Sequence, residues 1–153
     1  MRVEPITRLH ATAVDWRGCG ALIRGPSGSG KSSLALHLMA LGCGLLADDQ
    51  CEVFARDGDL HARCPDAIKG QIEARGFGIL SAASVTETRL VCAVDLGVHE
   101  DQRLPEQRFE NICALPLRLF HNSGTAALPF ALLQYLKSQS AASFAGANSQ
   151  SEI

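Results

Sequence analysis

Gly25-Pro-Ser-Gly-Ser-Gly-Lys31-Ser32 is the stretch whose reading decides the fold. It has the form Gly, four residues, Gly-Lys-Ser, in which glycines permit positive φ and successive backbone N–H groups turn into one concavity. Such a concavity suits a polyphosphate, held at the positive end of the helix that follows. Gly25, Pro26, Ser27, Gly28, Ser29, Gly30, Lys31, Ser32 and Ser33 are therefore the candidate nucleotide-binding residues. Lys31 would reach the β- and γ-phosphates, and the Ser32 hydroxyl would take one Mg²⁺ position. The flanks agree with this reading. Gly20-Ala-Leu-Ile-Arg24 is a short apolar strand leading in, and Ser32 to Leu41 has a helical period leading out. Gly42 stands where a helix C-terminal cap belongs.

Working outward, Thr12–Asp15 and Gly20–Arg24 flank the Asp15-Trp-Arg-Gly18 turn as a hairpin. Gly44–Ala47 is a buried strand ending in Asp48-Asp49, and Cys51–Ala55 pairs with Leu60–Arg63 around Arg56-Asp-Gly-Asp59. Ile68 to Leu80 is punctuated by glycine, Arg89–Asp95 is a strand, and Gly97 to Glu110 reads as a charged loop. Ala126–Lys137 is apolar in a helical period, with Pro129 tolerable only near its first turn. From Ser138 onward Ser, Ala, Gly, Asn and Gln leave little to bury, which predicts a frayed tail. Together these elements predict an α/β fold, a P-loop nucleotide-binding core with a mixed, partly antiparallel sheet and few long helices. They divide the chain into a domain over 1–137 and a flexible tail over 138–153.

The 153 residues suffice for one domain, and with 46% hydrophobic residues and a net charge of -2 neither disorder nor a basic nucleic-acid surface is indicated. Met-Arg-Val-Glu-Pro at the start carries no apolar signal core. The longest apolar stretch, Leu34 to Ala47, includes His37 and two glycines and is too short to span a bilayer. The expectation is a cytoplasmic protein with no membrane contact. Cysteines at 19, 43, 51, 64, 92 and 113 show neither C-x-x-C nor zinc-like spacing and read as buried reduced thiols.

A phosphate loop alone names no reaction. An acid is needed near the terminal phosphate, and two candidates compete. Asp95 ends the apolar strand Leu90–Val94, while Asp48-Asp49 ends the strand after the loop's own helix. Both would emerge at a carboxyl end of the sheet, where ligands bind. Adjacent side chains on a strand point to opposite faces, so one of the pair can face phosphates while its neighbour braces something else.

Over residues 10 to about 120 the chain resembles the catalytic domain of the HPr kinase/phosphorylase family. His10 stands at the family's spacing before the loop, Gly25–Ser32 matches the loop, and Leu46-Ala-Asp-Asp49 matches its apolar-Ala-Asp-Asp element. Ile72-Glu-Ala-Arg-Gly-Phe-Gly-Ile79 matches the family signature, including Arg75, Gly76 and Gly78. The resemblance implies that Asp48 is the acid–base residue, with Asp49 and His10 as its supporting catalytic pair. It also implies that Ser32 and Glu73 hold the metal and that Arg75 lies near the phosphates or braces Glu73. The function implied is an ATP- and Mg²⁺-dependent serine kinase acting on an HPr-like phosphocarrier of the phosphotransferase system, with phosphorolysis of the phosphoserine as its reverse. Members form hexamers, so a homo-oligomer is implied too.

The chain departs from the family at Ser33, where an acid is common, and at Ala74 and Phe77, where branched aliphatics are usual. A later Pro-x-Arg-Pro-Gly-Arg-Asn segment is represented only by Leu115–Asn122, which leaves kinase chemistry better supported than the reverse reaction. The resemblance describes a short form lacking the family's N-terminal domain. Two alternatives stay open: a small-molecule or nucleotide kinase, with Arg103 and Arg108 as lid material, and a non-catalytic nucleotide sensor.

Overall fold

The computed structural model describes residues 5–148, with side-chain surroundings for 5–140. Its main sheet has nine strands. In chain order these are β1 (Thr7–Leu9), β2 (Thr12–Trp16), β3 (Cys19–Arg24), β4 (Gly44–Ala47), β5 (Cys51–Arg56) and β6 (Asp59–Arg63). After a separate two-stranded hairpin, β7 (Gln71–Ala74) and β8 (Gly78–Ser81), come β9 (Glu87–His99), β10 (Arg108–Ile112) and β11 (Leu115–Asn122). Helix α1 covers Lys31–Ala40 and α2 covers Leu128–Asn148. The spatial order is β1-β5-β6-β9-β3-β2-β4, with β11 also joined to β9 and β10 to β11.

Strand direction explains where the chemistry gathers. β3, β9 and β11 are parallel to one another, whereas β2 runs antiparallel to both β3 and β4. The carboxyl ends of β3 and β4 therefore meet the amino end of β2. The registers Thr12↔Ile23 and Ala13↔Ala47 bring residues 10–12, 25–32 and 48–49 to one edge of the sheet.

Most central strands are buried on both faces, which is why they read as apolar runs rather than alternating patterns. Val14, Ile23, Leu45 and Val94 face the helices, meeting Leu34 and Leu38 of α1 and Leu132 and Leu136 of α2. Ala13, Leu22, Leu46 and Ala93 face the opposite way, against Val53, Leu60, Ala62 and Leu117 of the curled sheet. Leu38 and Leu136 are fully buried, and truncating either to Ala would cost about 2–5 kcal/mol. Helix α1 ends as its sequence predicts. Gly42, at φ 115°, donates to Met39 O at 3.0 Å, and the Cys43 N–H returns to Leu38 O at 3.0 Å.

Three features differ from the sequence reading. The segment from Gly97 to Glu110 is not all loop, because β9 continues to His99 and β10 begins at Arg108. The β10–β11 hairpin turns on Cys113 and Ala114, at φ 52° and 64°, without the Gly or Asn that normally marks such a turn. Helix α2 runs through Ser138 to Asn148, past the start of the expected tail; the rest of that tail, 149–153, lies outside the described residues. The cysteines are all free thiols, and burial pushes Cys43 up to about 11 and Cys51 up to about 12. No helix among the described residues is long and apolar enough to cross a membrane.

Candidate active site

The loop between β3 and α1 is held open by three glycines in positive φ: Gly25 at 144°, Gly28 at 82° and Gly30 at 99°. At Gly25 a Cβ would also stand 2.5 Å from Ser29 Oγ, so both space and conformation require glycine there. Ser29 N–H donates to Pro26 O at 3.0 Å and closes the turn. Lys31 is buried and folds back, its Nζ donating to Gly25 O at 2.8 Å and Pro26 O at 3.2 Å. Those bonds span the mouth of the loop and hold the ammonium over the concavity before any phosphate arrives. Ser29 Oγ is buried without a partner among the described residues, an unmet polar group inside the cradle.

A cavity of about 300 Å³ opens on this loop. Its walls are Ser27, Gly28, Gly30, Lys31, Ser32 and Ser33 from the loop and α1, Asp49 from the end of β4, and Glu73 and Arg75 from the β7–β8 hairpin. Six of the nucleotide-binding candidates, both metal candidates and Arg75 of the signature thus line one cavity, while Gly25, Pro26, Ser29, Gly76 and Gly78 are not among its walls. Gly76 and Gly78, at φ 84° and 103°, turn the hairpin, with Phe77 N–H closing on Ala74 O at 2.9 Å. That turn carries Arg75 to the cavity.

The two acids separate sharply. Asp48 Oδ1 accepts from Ser32 Oγ at 2.6 Å and from Thr12 Oγ1 at 3.0 Å, and its Oδ2 accepts from Glu73 N–H at 2.9 Å. Its carboxylate ties β2, α1 and β7 together, and it is not a wall of the cavity. Asp49 is. Its side chain is 58% exposed and pairs through Oδ1 with His10 Nε2 at 2.8 Å. Asp49 also adopts φ 70°, a left-handed conformation that costs a non-glycine residue about 1–2 kcal/mol.

Asp48 thus stands against the phosphate-loop serine, and Asp49 stands beside it, paired with His10. Thr12 was not singled out by sequence. Its signal was a hydroxyl amid the apolar β2, two residues after His10. Asp95, the competing acid, caps its own turn by accepting Gly97 N–H at 2.9 Å and lies outside the cavity walls. Arg108 pairs with Glu100. His37 packs edge-on against Phe130 and His61 stacks on Phe54.

Residues 2–112 match the family described as HPr Serine kinase C-terminal domain. The chain belongs to that family. Among HPr kinase C-terminal domain relatives, the HPr kinase/phosphorylase of Limosilactobacillus reuteri strain DSM 20016 is 38% identical over 115 residues, covering 72% of this chain and 36% of that protein. The enzyme of the same name from Aromatoleum aromaticum is 44% identical over 104 residues, covering 65% and 33%. This chain therefore spans about a third of the curated relatives it matches. The solved HPr(Ser) kinase/phosphatase of Coxiella burnetii aligns over 90% of this chain and 98% of its own, with a TM-score of 0.75 and 23% identity. That likeness fixes the HPr kinase fold.

The oxygen-rich walls suit a hard divalent cation. Mg²⁺ sites are commonly built from one or two carboxylates, with substrate phosphates and water completing the shell. Ser32 and Glu73 both line this cavity and supply such donors. Among the described residues no cluster of three or more His, Cys, Asp or Glu could hold a metal by itself, so phosphate oxygens would have to complete the set.

Proposed function

We propose that this chain is a Mg²⁺·ATP-dependent kinase that phosphorylates a serine of an HPr-like phosphocarrier protein. The observation that carries this reading is a carboxylate at the phosphate loop: Lys31, Ser32 and the loop glycines line the cavity, and Asp48 Oδ1 lies 2.6 Å from Ser32 Oγ, with the Asp49–His10 pair beside it. A binder needs only the loop. Transfer to a hydroxyl needs the carboxylate as well, because something must take the proton as the oxygen bonds to phosphorus.

In this reading the loop N–H groups and Lys31 hold the ATP phosphates, and Arg75 offers further positive charge. Ser32 and Glu73 would hold Mg²⁺, which would neutralise charge on the phosphate oxygens. Asp48 accepts the seryl proton, the seryl oxygen bonds to the γ-phosphorus, and the bond to the β,γ-bridging oxygen breaks to release ADP. Asp49 and His10 form the supporting pair beside it. The same Asp48 carboxylate keeps Ser32 and the Glu73 backbone in place. In the reverse direction an oxygen of inorganic phosphate bonds to the phosphoserine phosphorus, the bond from phosphorus to the seryl oxygen breaks, Asp48 returns its proton to that oxygen, and pyrophosphate is released.

The test is incubation of the chain with Mg²⁺, ATP and a purified HPr protein, followed by mass spectrometry of the HPr. One added phosphoryl group on a serine supports the assignment. Unmodified HPr alongside phosphorylation of a small molecule would replace it with the small-molecule kinase reading.

A further inference from the structure

We infer that the exposed aromatic pair His37–Phe130 is the platform on which the purine base of the nucleotide stacks. This rests on the reading that the glycine loop holds the phosphates of ATP. The cavity walls carry no aromatic side chain, so the base has to find a ring face outside them.

Helix geometry sets the direction in which the nucleoside leaves. At 3.6 residues per turn Ser32 and His37 point about 140° apart around α1, and Ser33 lies about 40° from His37. Ser32 faces Asp48 and, through its carboxylate, the hairpin that bears Glu73 and Arg75. His37 faces α2, where its ring meets Phe130. The γ-phosphate belongs on the hairpin flank, beside the acid, so the nucleoside end turns to the other flank. Ser33, a wall of the cavity, and His37 stand on one exposed face of α1, about 6 Å apart along its axis. A ribose spans that step.

A lone exposed phenylalanine needs no explanation. Phe130 is 53% exposed, yet its ring is held. The His37 and Phe130 centroids lie 5.2 Å apart with their planes at 85°, an edge-to-face pair. Such packing fixes the ring while leaving aromatic surface open to solvent. Stacking on that surface is indifferent to the base, because every base has a π-face. GTP therefore binds about as well as ATP.

Calorimetric titration compares wild type, Phe130→Ala and Phe130→Tyr, with Phe130→Leu as a second variant lacking a π-face should Phe130→Ala not fold. Each is titrated, in the presence of Mg²⁺, with ATP, GTP and inorganic tripolyphosphate. The variant without a ring should bind ATP and GTP about 5- to 100-fold more weakly and tripolyphosphate within about twofold of wild type. Phe130→Tyr should match wild type for all three. Unchanged ATP affinity without the ring, or an equal loss for tripolyphosphate, would overturn the inference. So would a wild type that binds tripolyphosphate as tightly as ATP. A wild type that shows the expected pattern but transfers nothing to an HPr protein would sink the kinase reading and leave the base platform standing.

Discussion

The Ser32 hydroxyl donates to Asp48 Oδ1 at 2.6 Å, fastening the first turn of α1 to the end of β4. The other oxygen of the same carboxylate accepts the Glu73 N–H, so the hairpin bearing Glu73 and Arg75 is fastened too. Asp48 is thus a joint between three elements, half-buried and fully used.

Asp48→Ala should accordingly act on stability as well as on turnover. Hydrogen bonds to a charged group contribute about 1.5–3 kcal/mol each, and the orphaned partners here are only partly re-solvated. Urea unfolding should show a loss of at least that size. Asp49→Ala, whose carboxylate bonds only at the exposed rim, should unfold within about 1 kcal/mol of wild type.

Lys31→Ala should weaken ATP binding and turnover together, since the ammonium already lies across the loop mouth. Calorimetric titration with ATP checks the first effect and steady-state kinetics the second. A variant that binds ATP normally would remove Lys31 from the cradle.

Much of this site was legible because short-range chemistry wrote it. The loop glycines, Lys31 and Gly42 carry local conformational demands that no other residue type meets, so spacing alone locates them. The division between Asp48 and Asp49 was not legible. It depends on a hydroxyl from β2 and an amide from β7, both distant in sequence, and on the left-handed turn they impose. The β10–β11 hairpin was hidden for a different reason: Cys113 and Ala114 adopt positive φ without the residues that advertise it. Helix α2 continues past Ser138 to Asn148, where composition alone predicts a tail.

The thiols offer a test of the core. Burial raises Cys43 to about 11 and Cys51 to about 12 and pushes Cys19, Cys64 and Cys92 upward as well. Reactivity requires thiolate and access, so all five should resist alkylation at pH 8 in the native protein. Cys113, only half-buried, should react first. Mass mapping after brief iodoacetamide treatment, with and without urea, checks the order.

Glu52 gives a pH dependence with a definite sign. Hydrogen bonds from Arg63 and Arg8 hold its carboxyl below the ordinary glutamate range. A lowered folded pKa stabilises the protein above the unfolded value of about 4.3, and the contribution is lost as pH falls through the folded value. Glu52→Gln should therefore be less stable than wild type at pH 6 to 7. The gap should close as acid is added below about pH 4, in denaturant melts at stepped pH. A constant gap across that range would detach Glu52 from the acid response.

The most direct test of the account is single-turnover transfer from ATP to an HPr protein by wild type and Asp48→Asn, with ATP affinity measured on both. The account predicts retained ATP binding and a rate lowered by about 10²–10⁴ in Asp48→Asn, the usual worth of a general base. Transfer at the wild-type rate by Asp48→Asn would contradict it, because the carboxylate at the phosphate loop would then take no part in moving the proton.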